Sequence, residues 1–182
     1  MSTGTANTFA VHTRESAPDA SKPVLEQVEQ AFGFIPNMIG VLAESPLAVA
    51  AYATVNGLLE EKSALSPQEQ QVAILAISRE NGCNYCVSAH AKVAGMKNVP
   101  ADVVQALQEG RDPEDAKLAA LSRTARLLVE KRGWIEENAQ NAFFDAGYEK
   151  AHLLDLIVLA ALKTISNYSN HIAQTELDQE FS

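Results

Sequence analysis

The segment Glu80-Asn81-Gly82-Cys83-Asn84-Tyr85-Cys86-Val87-Ser88-Ala89-His90 holds both cysteines of the chain, spaced C-x-x-C, with a histidine four residues after the second. Positions three and four apart share a face of a helix, so Cys83, Cys86 and His90 fall on one stripe. Two sulfurs beside an imidazole suit a redox dithiol with its own acid–base group. They also suit a soft metal, because catalytic zinc centres often use three protein ligands. A third reading is a pair of small apolar side chains packed in a core. Asn81-Gly82 is a turn or helix-stop signal, which puts the cysteines at the start of a new helix. Free backbone amides and the positive end of the helix dipole favour an anion there, drawing a thiol below its usual ~8.5. In the redox reading, a Cys86 thiolate attacks a peroxide oxygen to give a sulfenic acid, and Cys83 condenses with it to a disulfide. His90 takes up the Cys86 proton, directly or through a water.

The elements that must position these groups are helical. No segment alternates like a strand for long, and Ala and Leu are abundant, so the fold class is all-α. Residues 1–20 are polar and aperiodic and read as an extended or partly disordered arm; 21–182 read as a single helical domain. Ser21-Lys22-Pro23 opens a helix that stops near Gly33. A short helix over 37–44 and a longer one over 46–62 follow, divided at Ser45-Pro46. Ser66-Pro67-Gln68-Glu69 is a capping-box start, and its helix runs to about Glu80. Pro100 and Pro113 start further helices. Segments ending at Gly133 and Gly147 supply two more stops, and a last helix runs from near Glu149 to about Leu177. Short loops predict antiparallel packing of neighbours. Trp134 is expected to pack at a helix end, and His12 and His152 to be solvated. A shift of 83 positions lays Ile157 to Ala160 on Ile74 to Ile77 and Ser166 and Ser169 on the two cysteines. Such an echo fits either coincidence or an old helical-hairpin duplication.

The formal net charge of −9 argues against nucleic acid or an anionic membrane as the main partner. Residues 1–20 lack an apolar segment behind a basic start. The most apolar stretch, Leu153 to Leu162, contains Asp155 and is too short to span a bilayer. A cytoplasmic location follows as the expectation. In a reducing compartment, a C-x-x-C pair is catalytic or metal-binding more often than a structural bridge.

At these residues the chain resembles the alkylhydroperoxidase D family, within the wider carboxymuconolactone decarboxylase-like superfamily. Ile35-Pro36-Asn37, Ser45-Pro46-Leu47, Leu65-Ser66-Pro67, Cys83-Asn84-Tyr85-Cys86 with His90, and Ser166-Asn167-Tyr168 with Asn170-His171 carry the likeness. It covers about Phe34 to Asp178 and is strongest with the group called peroxidase-related. The resemblance implies an all-helical fold that forms homo-oligomers, commonly trimers or hexamers. It also implies reduction of hydrogen peroxide or a small organic hydroperoxide by a cysteine pair. By position, Cys86 is the peroxidatic thiol, Cys83 the resolving thiol and His90 part of a proton relay. Tyr85 stands where some relatives have a second His. An external dithiol, from a lipoyl protein or a thioredoxin-like partner, would reduce the disulfide. No cofactor or metal is implied, and no flavin or haem signature appears. True carboxymuconolactone decarboxylases generally lack the cysteine pair, which counts against decarboxylation. General disulfide exchange and a zinc-binding or interaction module remain the alternatives.

One position departs from the family. A Glu usually stands twelve residues before the first Cys, where this chain has Gln71. Glu69 and Glu80 lie about 160° and about 180° around the helix from it. Glu80 still precedes Cys83 by three residues and is a candidate acid. With the relay weakened, Gln71→Glu is expected to raise thiol reactivity near neutral pH. Asn167, Asn170 and His171, polar residues in an apolar last helix, need partners. They read as site-lining groups or as an interface network.

Overall fold

The computed structural model describes residues 9–182. Among them there are nine α-helices and no strands: α1 (Lys22–Phe32), α2 (Asn37–Leu42), α3 (Pro46–Lys62), α4 (Pro67–Glu80), α5 (Asn84–Met96), α6 (Ala101–Gln108), α7 (Ala116–Glu130), α8 (Glu137–Asp145) and α9 (Lys150–Ala173). None is long and apolar enough to cross a membrane.

Local signals set most boundaries. Ser45 Oγ accepts from the Ala48 amide and Asp115 accepts from the Leu118 amide, each filling an amide that the helix start leaves free. Ser66 and Glu69 form the reciprocal capping box of α4. Gly82, at φ +70, ends α4 in a left-handed residue, and the Cys83 amide reaches back to Ser78 O at 2.9 Å. This Schellman closure runs straight into α5, whose N-cap is Cys83.

α4 is the central element, packed against α5, α6, α7 and α9. Val72 to Ile77 are all buried, because the helix has neighbours on every side. They share one apolar cluster with Leu121, Phe143, Leu156, Leu159 and Leu162. A second cluster joins Leu25, Met38, Ile39, Leu42 and Val49 of α1–α3 to Cys83, Tyr85, Cys86 and Ala89. The thiols thus sit in a seam between the N-terminal helices and α5, with α9 as the third wall.

Residues 9–12 lie against α2, while the first eight residues of the expected arm fall outside the described residues. The His12 amide donates to Gly40 O at 3.1 Å. A Cβ on Gly40 would meet Val11 at 2.8 Å, so only glycine lets the arm cross here. Four expectations change. His12 is tied to Glu44 at 2.6 Å, and His152 caps α9 through the Glu149 amide. Trp134 is 86 % exposed rather than packed. α9 stops at Ala173, not near Leu177, because Gln174 turns left-handed (φ 51) and the tail folds back. The duplication reading also loses support. Positions aligned with the α4–α5 break, Thr164 and Ile165, lie in the unbroken middle of α9.

Candidate active site

Cys83 and Cys86 are free thiols, 1 % and 2 % exposed. One buried stripe of α9, Lys163, Ser166, Asn167 and Asn170, forms the polar wall facing them. Asn170 Nδ2 lies 3.3 Å from Cys86 Sγ and 3.8 Å from Cys83 Sγ, so one amide bridges the pair. Ser166 Oγ is 3.9 Å from Cys86 Sγ. Asn167 Oδ1 accepts from Asn81 Nδ2 at 2.8 Å, which pins the α4–α5 turn to α9. Met38, Ile39, Leu42, Val49 and Ala89 share the apolar cluster with the two cysteines.

The two thiols are electrostatically unlike. A hydrogen bond from Cys83 holds Cys86 well below the ordinary thiol range, against the opposing effect of burial. The charge of Lys163 and the polar groups of Asn167 and Ser166 add to the lowering. Cys83, which keeps the shared proton beside that anion, is pushed up. Placement of Cys86 in the first turn of α5 adds the dipole contribution foreseen from sequence. The reduced site is therefore a thiolate–thiol pair with its negative charge on Cys86.

Iodoacetamide alkylation of Cys86 is accordingly expected to keep its rate as pH falls well below the ~8.5 of a free thiol. Alkylation mapped by mass spectrometry tests this; a midpoint at the free-thiol value would refute it. The linkage has a definite sign. Cys86 ionises at lower pH in the folded chain than in the unfolded one. Its contribution to stability is therefore full above the unfolded value and fades as pH falls through the folded value.

His90 does not meet either sulfur. Its Nδ1 lies 3.0 Å from Gln71 Oε1 and its Nε2 3.0 Å from Lys163 Nζ. One tautomer satisfies both contacts: Nδ1–H donates to the Gln71 carbonyl, and Nε2 accepts from the Lys163 amine. Burial, and next the Lys163 charge, push His90 well below its ordinary range, so it is a neutral imidazole near pH 7. The direct proton transfer from Cys86 to His90 expected from helical spacing is absent; Lys163 occupies that nitrogen. A three-ligand metal site is disfavoured for the same reason, since Gln71 and the Lys163 amine engage both ring nitrogens. Among the described residues, no group of three or more His, Cys, Asp or Glu side chains converges to hold a metal ion.

The remaining candidates separate cleanly. Gln71, Asn167 and Asn170 belong to the site. Glu80 is exposed and forms no hydrogen bond or ion pair to the thiol group. His171 is exposed on the outer face of α9, stacked near Tyr168 at 6.3 Å; it lies about 100° around the helix from Asn170. The Tyr85 hydroxyl is engaged elsewhere. It donates to Asp178 at 2.5 Å and accepts from the Met38 amide at 3.3 Å. Lys163, Asn81 and Asp178 were not read as site-associated residues. For Lys163 a signal existed: stepping back one turn from Asn167 and Asn170 along the same face reaches it.

Residues 46–125 match the family model of the Carboxymuconolactone decarboxylase family. No curated protein matches the chain. Among solved structures, a peroxidase-related protein with an alkylhydroperoxidase D core from Ralstonia eutropha JMP134 superposes with TM-score 0.84 at 21 % identity, covering 95 % of this chain and 93 % of that one. The debrominase Bmp8, in a variant bound to 2,3,4-tribromopyrrole, gives TM-score 0.81 at 17 % identity over 97 % and 95 % of the two chains. A peroxidase-related protein from Silicibacter sp. TM1040 gives 0.80 at 18 % over 100 % and 97 %. The fold is the all-helical alkylhydroperoxidase D-like fold. The chain is similar to the Carboxymuconolactone decarboxylase family over residues 46–125 and shares the fold of the peroxidase-related proteins over nearly its whole length.

Proposed function

We propose that this protein is a thiol-dependent peroxidase that reduces hydrogen peroxide or small organic hydroperoxides. The observation that carries the reading is the asymmetry of the buried pair: a stabilised thiolate on Cys86 hydrogen-bonded to a protonated Cys83. The Cys86 thiolate attacks the hydroperoxide; an S–O bond forms, the O–O bond breaks, and the alkoxide takes up a proton. Cys83 then attacks the sulfenic acid, an S–S bond forms, and hydroxide leaves as water with the Cys83 proton. Two electrons and two protons from an external dithiol, a lipoyl or thioredoxin-like protein, restore the pair. Near-complete burial of both sulfurs favours small substrates and limits over-oxidation. Peroxide consumption by the reduced protein with dihydrolipoamide tests the reading, and absence of peroxide-dependent oxidation would sink it.

A second reading comes from the debrominase of the same fold. The Cys86 thiolate would attack bromine on an electron-rich aromatic ring, the ring carbon would take a proton, and Cys83 would displace bromide to form the disulfide. Bromide release from a brominated pyrrole, with no peroxide consumption, would favour it.

The protein acts as a homo-oligomer, a trimer or hexamer. The outer face of α9 carries exposed Leu154, Ile157, Val158, Tyr168 and Ile172, at 41–69 % exposure. No formal charge interrupts the stripe Leu154, Ile157, Val158, Ala161, Thr164, Ile165, Tyr168 and Ile172. Copies of a chain of net charge −9 meet there without like-charge repulsion. Ile157→Asp combined with Val158→Asp is expected to convert the assembly to monomer. Light scattering checks this, and an unchanged mass would remove α9 from the interface.

A further inference from the structure

Lys163 has no place in the dithiol chemistry as read from sequence, yet its side chain is fully buried, at 0 % exposure. Burying an ammonium is costly unless an anion or good hydrogen bonds compensate. Its hydrogen-bond partner among the described residues is the neutral His90, at 3.0 Å, and His90 is in turn held by Gln71 at 3.0 Å. That chain ends on an amide, which carries no charge. A carboxylate at position 71 would have closed a cation–imidazole–anion chain and compensated the lysine. Glutamine leaves its charge uncompensated on that side.

A different group lies along the same stripe of α9. Lys163 is one turn before Ser166 and Asn167 on the stripe of α9 that faces Cys86. The titratable groups around that sulfur are Cys83 and His90 of α5, Tyr85 of α5 with Asp178 behind it, Tyr52 of α3 and Lys163 of α9. Burial keeps both phenols protonated, His90 is neutral, and Asp178 is engaged by Tyr85 and the Asn37 amide. Lys163 is the positive member of this set.

We propose that Lys163 is the counter-ion of the Cys86 thiolate, a positioning residue acting through charge, with His90 and Gln71 holding its ammonium in place. The departure at Gln71 and the buried lysine are then one device. Gln71 leaves the cation free to face the sulfur, where a glutamate would share it. The sign expected for Gln71→Glu from sequence reverses: the new carboxylate draws on the Lys163 charge through His90, and Cys86 becomes less reactive.

The inference rests on Cys86 being the reactive thiol, and its test uses no peroxide, so it fails or stands apart from the peroxidase reading. Iodoacetamide alkylation is measured against pH on the full chain and mapped to Cys86 for wild type, Lys163→Met, Lys163→Arg and Gln71→Glu. Lys163→Met is expected to raise the midpoint by about one pH unit or more, a roughly tenfold loss of thiolate below the midpoint. Lys163→Arg keeps most of the wild-type midpoint. A change in access alone would scale the plateau rate and leave the midpoint in place. If Lys163→Met fails to fold, the other two variants decide. A wild-type midpoint in Lys163→Met, a Lys163→Arg midpoint as high as a free thiol, or a gain of Cys86 reactivity in Gln71→Glu would each overturn the proposal.

Discussion

Cys86→Ser is expected to abolish peroxide turnover, by roughly a thousandfold or more, as removal of a nucleophile does in enzymes whose catalytic groups act as a unit. A serine hydroxyl in the same cage is not ionised near neutral pH, so hydrogen bonding from Asn170 and the charge of Lys163 have no anion to stabilise. Cys83→Ser is expected to behave differently. Cys86 remains to attack the peroxide, but no second thiol condenses with the sulfenic acid. One oxidation per chain should then accumulate, trapped by dimedone, and turnover with a dithiol donor should fall sharply. The contrast between the two variants checks the division of labour. Equal loss with no trapped sulfenic acid in Cys83→Ser would indicate disulfide exchange or dehalogenation. The Cys86→Ser variant should keep its fold, because the exchanged atoms differ little in volume and Ser166 and Asn170 offer the hydroxyl partners.

Asp178→Ala is expected to cost about 2–4 kcal/mol, the loss of charge-assisted hydrogen bonds plus the orphaning of buried partners. At roughly 2–4 °C per kcal/mol for a chain of this size, melting should show it plainly. One carboxylate ties the C-terminal strap to both α2 and α5. Asp178 Oδ1 accepts from the Asn37 amide at 2.9 Å, and Oδ2 accepts from the Tyr85 hydroxyl. Asn37 Nδ2 donates to Glu176 O at 3.1 Å. Phe181 closes the arrangement against Phe34, at 5.5 Å between ring centroids, and against Tyr85 at 6.4 Å. Tyr85 stands between the two cysteines in sequence, so loosening the strap loosens the first turn of α5. Thiol modification by a bulky aromatic disulfide should accelerate in the variant along with the drop in melting temperature. Unchanged melting and unchanged thiol access would show that the strap contributes nothing to sealing the site.

Much of this architecture was legible in the chain because its signals are local. The capping box of Ser66 and Glu69, the glycine stop at Gly82 and the cysteine at the start of α5 each depend on residues within a turn of one another. Local backbone chemistry is enough to read them. The stripe Asn167 and Asn170 stood out for a related reason: polar side chains in an apolar helix need partners, and helical periodicity says which ones share a face. Glu80 and His171 were drawn in by nearness in sequence. Both are exposed, because position around the helix, rather than distance along the chain, decides which side chains reach the seam. The early stop of α9 had no cue, since Gln174 is not a residue that ordinarily ends a helix. Its left-handed backbone is held by the docking of the tail.

By itself, then, the sequence determined an all-helical chain with a C-x-x-C pair opening a helix, and with it the expectation of a thiolate. Short-range physics suffices for that: helical spacing aligns the sulfurs and the helix terminus favours the anion. What surrounds the sulfurs was decided by tertiary structure. Lys163 reaches His90 across 73 residues and Asp178 reaches Tyr85 across 93. Such pairings depend on how α9 and the tail close over the seam, which no local pattern encodes. The burial that closure produces also sets the electrostatics. In a site shielded from water, the Lys163 charge and the hydrogen bonds from α9 act on the thiolate with little screening, so residues distant in the chain add to what the neighbouring Cys83 already does.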